Sequence, residues 1–207
     1  TSGTTATLYG TTCGNGRFVA VGGAGAILNS PDGVTWTTED SGTTAYLYGV
    51  SHANGTFVAL GDAGTILTSH NGSTWAFRRS GTTHYLNGIA YGNGTFVAVG
   101  DAGTLLTSAD GITWSERTSG INAHFYAVAS GGGLFLTAGN GGALLASPDG
   151  VTWTSRNSGT GQPLFGVTYG NRTFVAVGYN GTIIQSDPVE GQQMLFNDDP
   201  AIPPSPR

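Results

Sequence analysis

Leu86-Asn-Gly-Ile-Ala-Tyr-Gly-Asn-Gly-Thr-Phe-Val-Ala-Val-Gly-Asp-Ala-Gly-Thr-Leu-Leu-Thr-Ser-Ala-Asp-Gly-Ile-Thr-Trp114 decides the fold. The stretch and its flank predict short strands at roughly 86–91, 95–100, 104–108 and 113–118, from runs of Val, Ile, Thr and aromatic residues. Between them stand Gly-Asn-Gly, Gly-Asp-Ala-Gly and Ala-Asp-Gly. Gly and Asn supply the positive φ that tight turns require. No segment shows sustained helical periodicity.

The stretch recurs along the chain. Trp36, Trp75, Trp114 and Trp153 stand 39 residues apart, and Phe18, Phe57, Phe96, Phe135 and Phe174 keep that spacing through five copies. About forty residues carrying four strands is the size of one propeller blade. Such a sheet is apolar on both faces and needs neighbours to cover them. The Phe-Val-Ala-Val segments suit that role. Gly10, Gly49, Gly88, Ala127 and Gly166 are small where inner strands would crowd an axis. The expected fold is all-β: a closed five-bladed β-propeller, four antiparallel strands per blade, over residues 1–196. A Pro-rich linker or tail, 197–207, follows. The fifth copy departs after Ser186-Asp187, where Gln192-Gln-Met-Leu-Phe196 is expected to replace the Trp-bearing strand. The alternative is an arc cut from a larger propeller.

The third turn of each copy carries Ser30-Pro-Asp-Gly-Val-Thr-Trp36, Ser69-His-Asn-Gly-Ser-Thr-Trp75, Ser108-Ala-Asp-Gly-Ile-Thr-Trp114 and Ser147-Pro-Asp-Gly-Val-Thr-Trp153. This motif resembles the Asp-box, Ser-x-Asp-x-Gly-x-Thr-Trp, shortened by one residue. Asp-box repeats occur in sialidases, sortilin-type receptors and the photosystem II assembly factor group. Asn71 takes the Asp place in the second copy, and the fifth keeps a vestige. The side chains of Asp32, Asn71, Asp110 and Asp149 can accept N–H bonds of their own turns, with Trp36, Trp75, Trp114 and Trp153 covering the hairpin base. The resemblance implies a structural role for these residues, at an edge away from the ligand face.

Two loop sets would form that face: the connections between blades, and the turns between second and third strands. They vary where the frame does not. They offer Tyr9, Tyr46, Tyr48, Asp62, Tyr85, Asn87, Asp101, His124, Tyr126, Asn140, Phe165 and Tyr179. Rings interleaved with amides and carboxylates suit a polysaccharide or glycan, whose C–H faces pack on aromatics. The first expectation is therefore a non-catalytic carbohydrate-binding module, linked to a neighbouring domain of a secreted or cell-surface bacterial protein. A protein-interaction scaffold of the assembly-factor kind is the alternative, and a glycoside hydrolase the third reading.

Composition narrows the field. The chain has 207 residues, a net charge of −5, seven Arg and no Lys. A nucleic-acid partner would need a basic stripe, and none is visible. No apolar run approaches the roughly 20 residues that span a bilayer. A sialidase would need an arginine cluster at the face, but Arg78, Arg117 and Arg156 fall on predicted outer strands. A glycosidase needs two convergent carboxylates, and only Asp62 and Asp101 are placed for that. His52, His70, His84 and His124 lack ligand spacing, so neither metal nor cofactor is expected. His84 and His124 are the pair that neighbouring blades could bring together. Cys13, the single cysteine, reads as a small packed residue.

Overall fold

A computed structural model describes residues 2–189. The expected strand at Gln192–Phe196 and the 197–207 tail lie outside the described residues.

Five antiparallel sheets follow one another along the chain. The first is β1 (Leu8–Gly14), β2 (Arg17–Gly22), β3 (Ile27–Ser30) and β4 (Thr37–Glu39). The second is β5 (Leu47–Ala53), β6 (Thr56–Gly61), β7 (Ile66–Ser69) and β8 (Ala76–Arg78). The third is β9 (Leu86–Gly92), β10 (Thr95–Gly100), β11 (Leu105–Ser108) and β12 (Ser115–Arg117). The fourth is β13 (Phe125–Gly131), β14 (Leu134–Gly139), β15 (Leu144–Ser147) and β16 (Thr154–Ser155). The fifth shows three strands among the described residues: β17 (Leu164–Gly170), β18 (Thr173–Gly178) and β19 (Ile183–Gln185). Each is an up-and-down meander, the strand order following the chain.

The sheets pack side by side through one recurring contact. Val19, Val21 and Ile27 of the first meet Leu47, Phe57, Ala59 and Leu67 of the second. Val58, Leu60 and Ile66 meet Leu86, Phe96, Ala98 and Leu106 in the same way. Val97, Val99 and Leu105 meet Phe125, Phe135 and Leu145. Leu136, Ala138 and Leu144 meet Leu164, Phe174 and Ala176. Alternation along each strand sends one set to the preceding sheet and the other to the following one. The inner strands approach closely. A Cβ on Gly10 would lie 3.0 Å from the Tyr48 carbonyl oxygen, and one on Gly88 would lie 3.2 Å from that of Tyr126. Small residues at these positions are therefore a packing requirement.

The expected closed ring is not what these residues form. β1 packs on β5, β5 on β9, β9 on β13 and β13 on β17, but no comparable packing joins β17 to β1. Phe18 is 40% exposed, whereas Phe57, Phe96, Phe135 and Phe174 are fully buried. Cys13 is likewise exposed rather than packed. The reason is shared. Residues equivalent to Cys13 in later copies lie against a small residue of the preceding sheet, as His52 does on Gly14, Ser130 on Gly92 and Tyr169 on Gly131, and the first sheet has no predecessor.

This arrangement sets up a paired test of side-chain overlap. A Cβ on Gly131 would overlap the Tyr169 ring, while one on Gly170 would meet nothing within 4 Å. Gly131→Ala is expected to lower the melting temperature by about 2–4 °C or more, as overpacking costs about 1–3 kcal/mol in a chain of this size. Gly170→Ala is expected to leave it unchanged, and differential scanning calorimetry compares the two.

Candidate functional site

The turns between second and third strands lie beside the starts of the inner strands. Backbone bonds fix this in every copy. Gly23 N–H donates to Thr7 O, Asp62 to Tyr46 O, Asp101 to Tyr85 O, Asn140 to His124 O and Tyr179 to Pro163 O, each at 2.9 Å. The two loop sets expected from the sequence therefore form one rim. Each turn carries a residue with positive φ at its centre: Ala24, Ala63, Ala102, Gly141 and Asn180. For the alanines this is a conformation that a Cβ disfavours.

The inner strands add a feature that periodicity does not show. Leu47 pairs with Gly61 and Gly49 with Leu60, so Tyr48 is an extra residue in the ladder. The same break falls at Tyr9, Asn87, Tyr126 and Phe165. A bulge bends the strand and re-aims its side chain, and bulges favour rims and sites. All five mouth positions thus sit on equivalent bulges.

The structure gathers most of the expected site residues into three groups, each spanning two neighbouring sheets. The rings of Tyr9, Tyr46 and Tyr48 cluster, with centroids 5.5–6.5 Å apart. Tyr48 Oη donates to Asp62 Oδ1 at 2.7 Å, and the Tyr46 N–H donates to Asp62 Oδ2 at 3.2 Å. Burial, then the Asp62 carboxylate, pushes the Tyr48 phenol well above its ordinary value, and Tyr85 adds to the effect. Asn87 Nδ2 donates to Asp101 Oδ1 and to Phe125 O, both at 2.9 Å, bridging third and fourth sheets. His124 Nδ1 lies 3.1 Å from the same Asp101 oxygen, and the His124 N–H donates to Asn140 Oδ1 at 2.8 Å. Tyr126 and Phe165 stack at 5.3 Å between fourth and fifth sheets. Tyr179 is 57% exposed, and no hydrogen bond or ring contact ties its side chain to the other mouth residues described. His84 and His124 do not pair: His84 Nδ1 meets Thr104 Oγ1 at 2.9 Å. Among the described residues no group of His, Cys, Asp and Glu could hold a metal ion. Among the same residues no helix is long and apolar enough to cross a membrane.

The third turns lie at the opposite edge, beside the β1–β2 type hairpins. Asn15 Nδ2 shows this by donating both to Gly55 O of the next such hairpin and to His70 O of the next third turn. Asp32 Oδ1 accepts from Thr35 N–H at 2.7 Å, Val34 N–H at 2.8 Å and Ser30 Oγ at 2.9 Å. Those bonds, led by the Thr35 amide, hold the Asp32 carboxyl at about 2. Asp110 is lowered by the Thr113 and Ile112 amides. At Asp149 burial works in the opposite direction and the Thr152 and Val151 amides outweigh it. Asn71 Oδ1 takes the same bonds from Thr74 and Ser73. Trp36, Trp75, Trp114 and Trp153 each donate Nε1–H to the turn glycine's carbonyl. These residues build turns and stand apart from the mouth.

No family model matches the sequence, and no curated protein is significantly similar to it. Solved structures show that the fold is of the β-propeller repeat type. YCF48 bound to a D1 peptide superposes with a TM-score of 0.72 at 18% identity, over 93% of this chain and 66% of that one. The WD40 propeller domain of Doa1 gives 0.73 at 12%, over 89% and 66%. A chain of the nidogen/laminin complex gives 0.67 at 13%, over 92% and 80%. The chain thus spans just under two thirds of the YCF48 and Doa1 chains it matches.

The turn chemistry yields two expected outcomes. Asp110→Asn keeps the acceptor, as Asn71 does naturally, and should leave the melting temperature nearly unchanged. Asp110→Ala should lower it by about 2–4 °C, the loss expected of a capping acceptor. For acid unfolding, a depressed folded-state value stabilises above the ordinary 3.8 and is lost as pH falls toward about 2. Asp32→Asn should therefore flatten the stability curve between about pH 4 and 2, measured by denaturant titration at each pH.

Proposed function

We propose that this chain is a non-catalytic protein-interaction scaffold that receives an extended peptide segment across its mouth face. The observation that carries the reading is the row of bulge residues. Tyr9 and Phe165 on the bulges, with Tyr46, Tyr85 and Tyr179 from the adjoining loops, stay 46–57% exposed along one rim. Exposed tyrosine and phenylalanine offer large apolar area at low entropic cost, which suits a peptide that must be ordered on binding. Asp62 and Asp101 accept hydrogen bonds from their own neighbours, which suits positioning rather than proton transfer. Two similar structures contain a peptide or a protein partner, D1 peptide with YCF48 and laminin with nidogen. The polysaccharide expected from the ring-and-amide chemistry has no such support. The net charge of −5 and the absence of Lys favour apolar or basic segments over acidic ones. The turn motif is read as an Asp-box, which supplies the frame and takes no part in recognition.

A displayed peptide library selected on the immobilised chain tests this. Peptides enriched on the wild type should lose about tenfold or more in affinity against Tyr46→Ala or Asp101→Asn, a loss typical of a contact residue at an interface centre. Retention of a glycan on an array through the same tyrosines, with no peptide enriched, would overturn the reading.

A further inference from the structure

The two end faces of the arc expose apolar residues that are buried at the equivalent positions of the other sheets. Inside the arc, one half of each junction is Val or Leu from a second strand with Ile or Leu from a third. The other half is Leu or Phe from an inner strand with Phe from a second strand. Among the described residues, nothing covers the first half where the fifth sheet displays it. Val177 is 46% and Ile183 is 71% exposed, while their equivalents Val21, Leu60 and Val99, and Ile27, Ile66 and Leu105, are fully buried. The first sheet displays the second half. Leu8 is 39% and Phe18 is 40% exposed, while Leu47, Leu86, Phe125 and Leu164 are fully buried, although Ala20 and Leu28 stay covered.

Polar groups at the two ends match as well. Asn15 and Asn93 each fork onto the next sheet, donating to the carbonyls of a hairpin glycine and of a third-turn residue. Asn171 is the same residue of the fifth sheet. It lies exposed, and its side chain has no hydrogen bond among the described residues. Its matching acceptors would be the carbonyls of Gly16 and Pro31. Both line a cavity of about 360 Å³ on the first sheet, together with Cys13, Gly14, Arg17 and Phe18. On the fifth sheet, a Cβ on Gly166 would meet only Val177 of its own sheet, and one on Gly170 would meet nothing. Those two glycines are the surface on which a following inner strand would lie.

We propose that these two faces are mates, and that a second copy of this chain occupies each. The fifth sheet of one copy docks on the first sheet of the next, repeating the junction made four times within the chain. The ends of one copy do not meet each other. Because the joined faces are unlike, the contact is head-to-tail and passes from copy to copy. Asn171 donates to Gly16 and Pro31 of the neighbour, Ile183 and Val177 cover its Leu8 and Phe18, and Cys13 comes to rest on Gly170.

Sedimentation velocity on the whole chain tests this across a wide concentration range. The wild type should associate with rising concentration, and alkylation of Cys13 should slow in parallel. Ile183→Glu and Leu8→Glu each spoil one face at an exposed site and should each abolish association. Asn171→Ala should weaken it several-fold. Mixing the Ile183→Glu and Leu8→Glu chains should restore a dimer and nothing larger, because each retains the face the other lacks. A wild type that stays monomeric with constant Cys13 reactivity overturns the proposal. So does association indifferent to both glutamates, or a mixture that fails to pair.

Discussion

The covering of one sheet's Val-x-Val face by the next sheet's Leu and Phe is the contact on which everything else rests. A four-stranded meander has little interior of its own, and its apolar residues point to both sides. Burying one Phe or Leu side chain contributes about 1.5–3 kcal/mol, and each junction buries several. Stability is therefore a property of neighbours. The same constraint explains the composition. With both sheet faces committed to packing, charge falls mostly on turns, strand ends and outer strands, and only 9% of the residues carry it. The glycines that let inner strands approach are the complement of the bulky residues that hold the outer parts together.

The mouth depends on that frame in a specific way. Backbone bonds from each turn to the residue preceding its inner strand lock two loop sets together before any side chain is considered. The side chains then knit across sheets: Asn87 reaches from the third to Phe125 O of the fourth, and His124 reaches back to Asp101. A partner crossing the rim meets residues held by several sheets at once, which lowers the entropy cost of fixing them on binding.

The fold was largely legible in the sequence because its signal is redundant. Four tryptophans and five phenylalanines at one spacing leave little freedom in placing strands, and strand boundaries at Leu86–Gly92 and Thr95–Gly100 fall close to those expected. The turn role of Asp32 and its equivalents followed from local chemistry, since the acceptor and its donors lie within three residues. Ring closure was not legible. It depends on the angle between sheets, which spacing does not encode, and the exposure of Phe18 and Cys13 follows from it. At the mouth, loop position placed these residues on one rim, but their side-chain contacts did not follow from residue type. Whether Tyr48 meets Asp62 depends on a ladder break that alternation in the sequence does not mark, and His124 meets Asp101 instead of His84 from the loop before β13.

That ladder break has an evolutionary corollary. Because the residue at each bulge lies outside the pairing pattern, it can be exchanged without shifting the strands around it. Tyr, Asn and Phe already occupy the slot in different copies. A gene made of repeated units in one register can also recombine with itself, and each crossover would carry one slot intact into a new order. Such a molecule can explore new specificities by shuffling letters on a fixed keyboard, while the machinery beneath the keys stays the same.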